Sequence, residues 1–193
     1  MLIEYKRHTY PGDWVSVSHA FTYNFITDLM EFFPEPYIIN YDGRRACTNE
    51  VRTFANREET PELAAFFSDW DTDHARQFFT NLTGVDCSAG RLRVELCQDG
   101  PGFYLDRHID IPEKLITLQI YLGGGSDNWG TSFYDRDTGE LVHTNLFKHN
   151  TGWLTWAYGN VLHGVEKNMV DDTRRSVIIN YVAGDWKDID QLY

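Results

Sequence analysis

The stretch "GFYLDRHIDIPEKLITLQIYL", residues 102–122, carries both the fold and the chemistry of this chain. Its second half, "KLITLQIYL" (114–122), sets Thr117, Gln119 and Tyr121 between apolar neighbours. A period of two is the signature of a β-strand with two different faces. Just before it, His108 and Asp110 stand one residue apart. On an extended backbone both side chains point the same way, so an imidazole nitrogen and a carboxylate oxygen can meet one ion.

Outward from this stretch, short strand patterns continue. They are "RLRVELC" (91–97), "GFYLDRH" (102–108), "GTSFYD" (130–135), "ELVHTNLF" (140–147), "GWLTWAY" (152–158), "NVLHGVE" (160–166) and "RSVIINYV" (175–182). Turn sequences such as "DGPG", "GGGSDNWG" and "DRDTGE" separate them. Before residue 90 the patterns are helical. "SVSHAFTYNFITDLMEFF" has Ser18 as an N-cap and stops at Pro34. "TPELAAFFSDW" pairs a Thr60 cap with Pro61 at the first helical position. "DTDHARQFFTNLTG" has acidic residues in its first turn and Gly84 at its end. The aromatics of these helices are read as packing on a sheet. The predicted class is mainly β with N-terminal helices: a sandwich or jelly roll with helices against one face.

The chain has 193 residues, which suits one domain with a sizeable core, and 42% of them are hydrophobic. A formal charge of −12 argues against nucleic acid or an anionic membrane as partner. Cys47, Cys87 and Cys97 match no disulfide or zinc spacing and are read as reduced thiols. No apolar leader or run of transmembrane length is present, so a soluble cytoplasmic protein is expected. The tail "WKDIDQLY" is expected to fray or to dock on a neighbour.

A metal site needs a third ligand, and His163 in "NVLHGVEK" is the candidate; read alone, it is more readily a core or turn histidine. Two histidines and a carboxylate on one face of an ion form the ligand set of non-heme Fe(II) oxygenases. The last strand opens "TRRSVIINYV", where Arg174 and Ser176 share one face and Arg175 takes the other. A buried arginine needs an anion, and its guanidinium can fork onto a carboxylate, so Arg174 and Ser176 could together hold a dicarboxylate. A one-residue slip would exchange Arg174 for Arg175. Trp153 and Trp156 are read as core.

Over about residues 91 to 182 the sequence resembles the 2-oxoglutarate/Fe(II)-dependent dioxygenases, in their prolyl-4-hydroxylase-like branch. The carriers are "HID" (108–110), "KLITLQIYL", "GTSFYD", "LHGVE" (162–166) and "TRRSVIINYV", in the family's order. The resemblance implies a double-stranded β-helix, cupin-like, packed against supporting helices. It implies a single domain over 1–193: helical support and substrate-side elements in 1–90, the β-helix core in 91–182, and a tail in 183–193. It assigns His108, Asp110 and His163 to Fe(II), and Arg174, Ser176 and Tyr121 to 2-oxoglutarate. Thr117 and Gln119 would line the same pocket, with Tyr104 and Arg93 at its rim. Asp106 or Glu166 would accept the second N–H of a ligating histidine.

The implied activity is hydroxylation of an unactivated C–H bond of a small molecule, amino acid or peptidyl residue, with release of succinate and CO2 and with ascorbate as reductant. Asp110 argues against a halogenase, which lacks that carboxylate. Nothing recognisable in 1–90 or in "GGGSDNWG" names the substrate. Two other readings stay open: a cupin-type metalloprotein that does not use 2-oxoglutarate, and a sugar-binding jelly roll that stacks ligands on Trp14, Trp129 and Tyr134.

Overall fold

The computed structural model describes residues 4–31, 33, 51–55 and 61–193. Two antiparallel sheets face each other. The major sheet has the order β1 (Glu4–His8), β2 (Trp14–Ser18), β9 (Thr151–Trp156), β6 (Lys114–Leu122), β11 (Arg174–Val182), β4 (Arg91–Asp99), β3 (Val51–Phe54). The minor sheet has the order β5 (Leu105–His108), β10 (Leu162–Val165), β7 (Ser132–Tyr134), β8 (Leu141–Thr144). Among the described residues three α-helices accompany the sheets: α1 (Tyr23–Glu31), α2 (Pro61–Phe67) and α3 (Asp73–Thr83). This is the jelly-roll double-stranded β-helix expected from the sequence. β6 spans the same residues as its alternating pattern, and each of the other seven strand patterns yields a strand.

Strand alternation gives the major sheet two unlike faces. One face carries Ile116, Leu118 and Ile120 of β6 with Val177 and Ile179 of β11, and the helices cover it with Leu29, Leu63, Phe67 and Phe79. Burying each such side chain contributes about 1.5–3 kcal/mol. Tyr181 donates its hydroxyl to the Trp70 carbonyl, tying β11 to the turn between α2 and α3. The opposite face looks towards the minor sheet across a second core that includes Trp14, Phe133, Phe147 and Trp153. Its polar positions build the site.

Helix ends follow local chemistry. Thr72 caps α3 by accepting from the Ala75 N–H at 3.1 Å, and Gly84 closes it in the left-handed conformation, as its sequence predicts. Pro61 opens α2. Thr60, Pro34 and Cys47 lie outside the described residues. Ser18, expected as the cap of α1, instead ends β2; Thr22 precedes the helix and accepts from the Phe25 N–H at 3.5 Å. The reason is the alternation of "WVSVS", which carries the extended backbone as far as Ser18.

Residues 1–90, expected to be mostly helical, also supply β1, β2 and β3 of the major sheet. These strands are only four or five residues long: β1 and β2 form a hairpin that joins the sheet through β9, far along the chain, and β3 pairs with β4. The C-terminal tail docks on its own sheet. The Tyr193 N–H reaches the Leu92 carbonyl at 2.9 Å, and Arg93 Nε donates to Gln191 Oε1 at 2.7 Å.

Candidate metal centre

His108 ends β5, and His163 faces it as register partner on β10. The pairing sets the two imidazoles 4.4 Å apart, centroid to centroid. Gly164 permits this approach, since a methyl group there would lie 2.5 Å from the Leu105 carbonyl oxygen. Asp110 follows β5 by two residues. His108, Asp110 and His163 each offer a ligand atom within 4.8 Å of the others, and His108 Nε2 stands 3.9 Å from Asp110 Oδ1. At this spacing one ion can draw in all three.

Both rings are oriented from behind. Nδ1 of His108 lies 2.9 Å from the Asp106 carbonyl oxygen, and Nδ1 of His163 lies 2.9 Å from that of Val161. A carbonyl can only accept, so each Nδ1 carries the hydrogen and each Nε2 keeps its lone pair for an ion. The expected side-chain acids do not serve here. Asp106 acts through its main chain, and Glu166 is held by Tyr134 and Arg107.

Asp110 accepts from Lys114 Nζ at 2.7 Å on Oδ1 and from the Thr117 hydroxyl at 2.7 Å on Oδ2. Burial pushes the Asp110 pKa up, but the charges of Lys114 and His163 and these two hydrogen bonds outweigh it. Its carboxyl is held well below the usual carboxylate range. Burial pushes His163 down to about 4, with the Asp110 charge opposing, so its ring is neutral at pH 7.

Thr117, Gln119 and Arg174 line the cavity beside the triad, a space of about 50 Å³ that Phe103 and Trp153 wall with apolar surface. Gln119 fixes its neighbours. Its Oε1 accepts from Thr131 Oγ1 at 3.0 Å and Trp153 Nε1 at 3.1 Å, and its Nε2 donates to Ser176 Oγ at 3.1 Å. Ser176 and Tyr121 stand behind this lining. The Tyr121 hydroxyl accepts the Thr131 N–H at 2.9 Å. Both hydroxyls thus accept one bond and keep a hydrogen to donate. Tyr104 does not line the cavity: it lies under Lys167, and its neighbours Phe103 and Leu105 line it instead.

The register puts Arg174 on the site face, while Arg175 turns away to Gln98. The anion that accompanies Arg174 is one the sequence reading missed. Asp99, directly opposite on β4, accepts from Nη1, and the Trp129 carbonyl accepts from Nε at 2.7 Å. Glu95, also in the cavity lining, is paired with Arg93. Lys114, Glu95 and Asp99 are the site residues that sequence reasoning overlooked. The signal for Glu95 was in "RLRVELC", where Arg93 and Glu95 alternate with apolar residues; Asp99 follows on the same face of the strand. The buried polar Nη2 of Arg174 has no hydrogen-bond partner among the described residues. It is an orphan donor of the kind that a ligand carboxylate satisfies.

No protein-family model matches the sequence, and no curated protein sequence matches it. Solved structures do share its fold. A prolyl-4-hydroxylase of Pseudomonas putida superposes with a TM-score of 0.65 at 14% identity, covering 90% of this chain and 94% of that one. A prolyl hydroxylase of Trichoplax adhaerens, solved with a hypoxia-inducible-factor peptide fragment, gives 0.61 at 14% identity, covering 88% and 83%. SnoN, a non-heme α-ketoglutarate-dependent epimerase of nogalamycin biosynthesis, gives 0.59 at 13% identity, covering 88% and 77%. The chain therefore has the fold of the 2-oxoglutarate/Fe(II) oxygenases, in its prolyl-4-hydroxylase-like form.

The residues fit the groups those proteins use. Two imidazoles with Nδ1 hydrogen-bonded to a carbonyl and one carboxylate suit a ferrous ion, and the orphan Nη2 with two donor hydroxyls suits a carboxylate. Trp14, Trp129 and Tyr134, offered as stacking platforms in the sugar-binding reading, are all buried and present no face to a sugar. No helix among the described residues is long and apolar enough to cross a membrane.

Proposed function

We propose that this chain is a 2-oxoglutarate- and Fe(II)-dependent oxygenase that hydroxylates an unactivated C–H bond of a small molecule, amino acid or peptidyl residue. The observation that carries the reading is the triad. His108 and His163 each have Nδ1 committed to a carbonyl and Nε2 turned to the point that Asp110 also reaches.

His108, Asp110 and His163 would hold the ion. Arg174 Nη2 and the hydroxyls of Ser176 and Tyr121 would hold the far carboxylate of the co-substrate, with Gln119 keeping Ser176 in place. Thr117 holds Asp110 in orientation. Phe103 and Trp153 give the cavity apolar walls, which strengthens the charge interactions beside them. When bound, iron and 2-oxoglutarate supply the activation of dioxygen, with succinate and CO2 as co-products and ascorbate as external reductant. The peptide seen with the Trichoplax adhaerens enzyme supports a peptidyl substrate as one class to screen.

One observation favours a second reading, a cupin-type metalloprotein without 2-oxoglutarate. Asp99 already supplies Arg174 with a counter-ion, so that arginine can be buried without a ligand. An anaerobic titration of the apoprotein with Fe(II) and 2-oxoglutarate separates the two. A visible charge-transfer band in wild type, absent in His108→Ala and needing far more 2-oxoglutarate in Arg174→Ala, is expected. Bound metal with no band would move the assignment to the cupin type.

A further inference from the structure

We propose that Asp99 is a specificity-determining residue of the co-substrate pocket: a fixed counter-charge on Arg174 that weakens the hold on a distal carboxylate. The proposal rests on the 2-oxoglutarate reading above and deepens it. Asp99 and Arg174 are directly opposed on β4 and β11, and they are 0% and 1% exposed. Bulk solvent does not reach the pair, so each of its charges is weakly screened on the cavity side.

Geometry limits the arginine first. A guanidinium grips a carboxylate through two adjacent nitrogens, either Nη1 with Nη2 or Nε with Nη2. Here Nη1 is committed to Asp99 and Nε to the Trp129 carbonyl. Each fork thus has one nitrogen already engaged, and Nη2 is the one without a partner among the described residues. The group has no room to turn, because the rings of Tyr121, Phe103 and Phe147 stand 5.3, 5.7 and 5.7 Å from its central carbon. A co-substrate carboxylate therefore meets Arg174 through Nη2, where an unpaired arginine would offer two disengaged nitrogens.

Charge works in the same direction. Asp99 cancels Arg174, as Glu95 is cancelled by Arg93 and Asp110 by Lys114. A second carboxylate brought to Arg174 meets a pair that is already neutral, and it feels Asp99 behind the guanidinium as a like charge. An uncharged tail of the same length meets no such repulsion. The pocket should thus discriminate weakly between 2-oxoglutarate and 2-oxopentanoate, the 2-oxo acid with a methyl group in place of the distal carboxylate.

Calorimetric titration of the anaerobic Fe(II)-loaded protein with each acid tests this. Wild type should bind 2-oxoglutarate less than about tenfold more tightly than 2-oxopentanoate. Asp99→Asn keeps the hydrogen-bond acceptor and removes the charge. It should tighten 2-oxoglutarate by roughly tenfold or more, given the strength of an unscreened charge pair, and leave 2-oxopentanoate within about twofold. An Asp99→Asn protein that binds both acids more weakly would mean that Asp99 merely props Arg174, and would overturn the proposal. So would a wild-type preference for 2-oxoglutarate far above tenfold, a result that needs no variant to fold. Iron-loaded wild type that takes up neither acid would overturn the oxygenase reading, and this inference with it.

Discussion

Lys114 Nζ lies 2.7 Å from Asp110 Oδ1, the carboxylate of the candidate metal triad. In the metal-free site the ammonium acts as the counter-charge of a mostly buried carboxylate. An arriving divalent ion must compete with it for the same oxygen. Lys114→Met should therefore bind Fe(II) or Co(II) roughly tenfold more tightly, by the loss of a competing unit charge a few ångströms away. The same change leaves Asp110 unpaired and should cost the metal-free protein about 1–3 kcal/mol. Competition against a chromophoric chelator reads the affinity, and urea unfolding of the apoprotein reads the stability. Equal metal affinity in the two proteins would show that Lys114 does not contend for Oδ1.

Behind Asp110 runs a chain of hydrogen bonds. Thr117 Oγ1 donates to Asp110 Oδ2 at 2.7 Å and accepts from Asn180 Nδ2 at 3.0 Å. Asn180 Oδ1 accepts from Arg93 Nη1 at 2.9 Å, and Arg93 is held in turn by Gln191 of the tail. Removing a partner behind a metal ligand typically weakens metal binding by roughly 10–100-fold. Asn180→Ala should fall near the lower end, about tenfold, because Thr117 remains. It should also lose about 1–3 kcal/mol of stability, since Arg93 and Thr117 each lose a buried partner. A folded Asn180→Ala protein with unchanged Co(II) affinity would confine Asn180 to a structural role.

The stability of the metal-free protein should depend on His163. Its folded pKa is pushed down to about 4 by burial, while an unfolded histidine titrates near 6.5. Between those values the unfolded chain binds a proton that the folded chain refuses. The stabilisation is therefore present above pH 6.5 and is lost as pH falls towards 4, on the order of 3 kcal/mol in all. Urea midpoints of the apoprotein at pH 7.5 and 4.5 measure the loss. His163→Phe, which has no proton to bind, should lose that much less stability over the same interval; an identical loss in both proteins would place the titrating group elsewhere.

Much of the fold was legible locally. Period-two alternation located the strands of the β-helix, and "DTDHARQFFTNLTG" marked both ends of α3. The same periodicity put His108 with Asp110, and Arg174 with Ser176, on shared faces. β1 and β2 escaped notice because five residues are too few for a periodic signal to stand out, and their hairpin joins the sheet only through β9, far along the chain. The residues that set the site's charge escaped for a related reason. Nothing in the sequence around Asp99 says that it will lie opposite Arg174, 75 residues away, because register between distant strands is a property of the closed sheet.

What the sequence by itself determined was which side chains share a face, since that follows from backbone geometry at each residue. Only the tertiary structure decided which charges meet. It placed Asp99 on Arg174, 75 residues away, because excluding water from the space between two sheets obliges each buried charge to find a partner there, whereas Arg93 with Glu95 and Lys114 with Asp110 are neighbours along the chain.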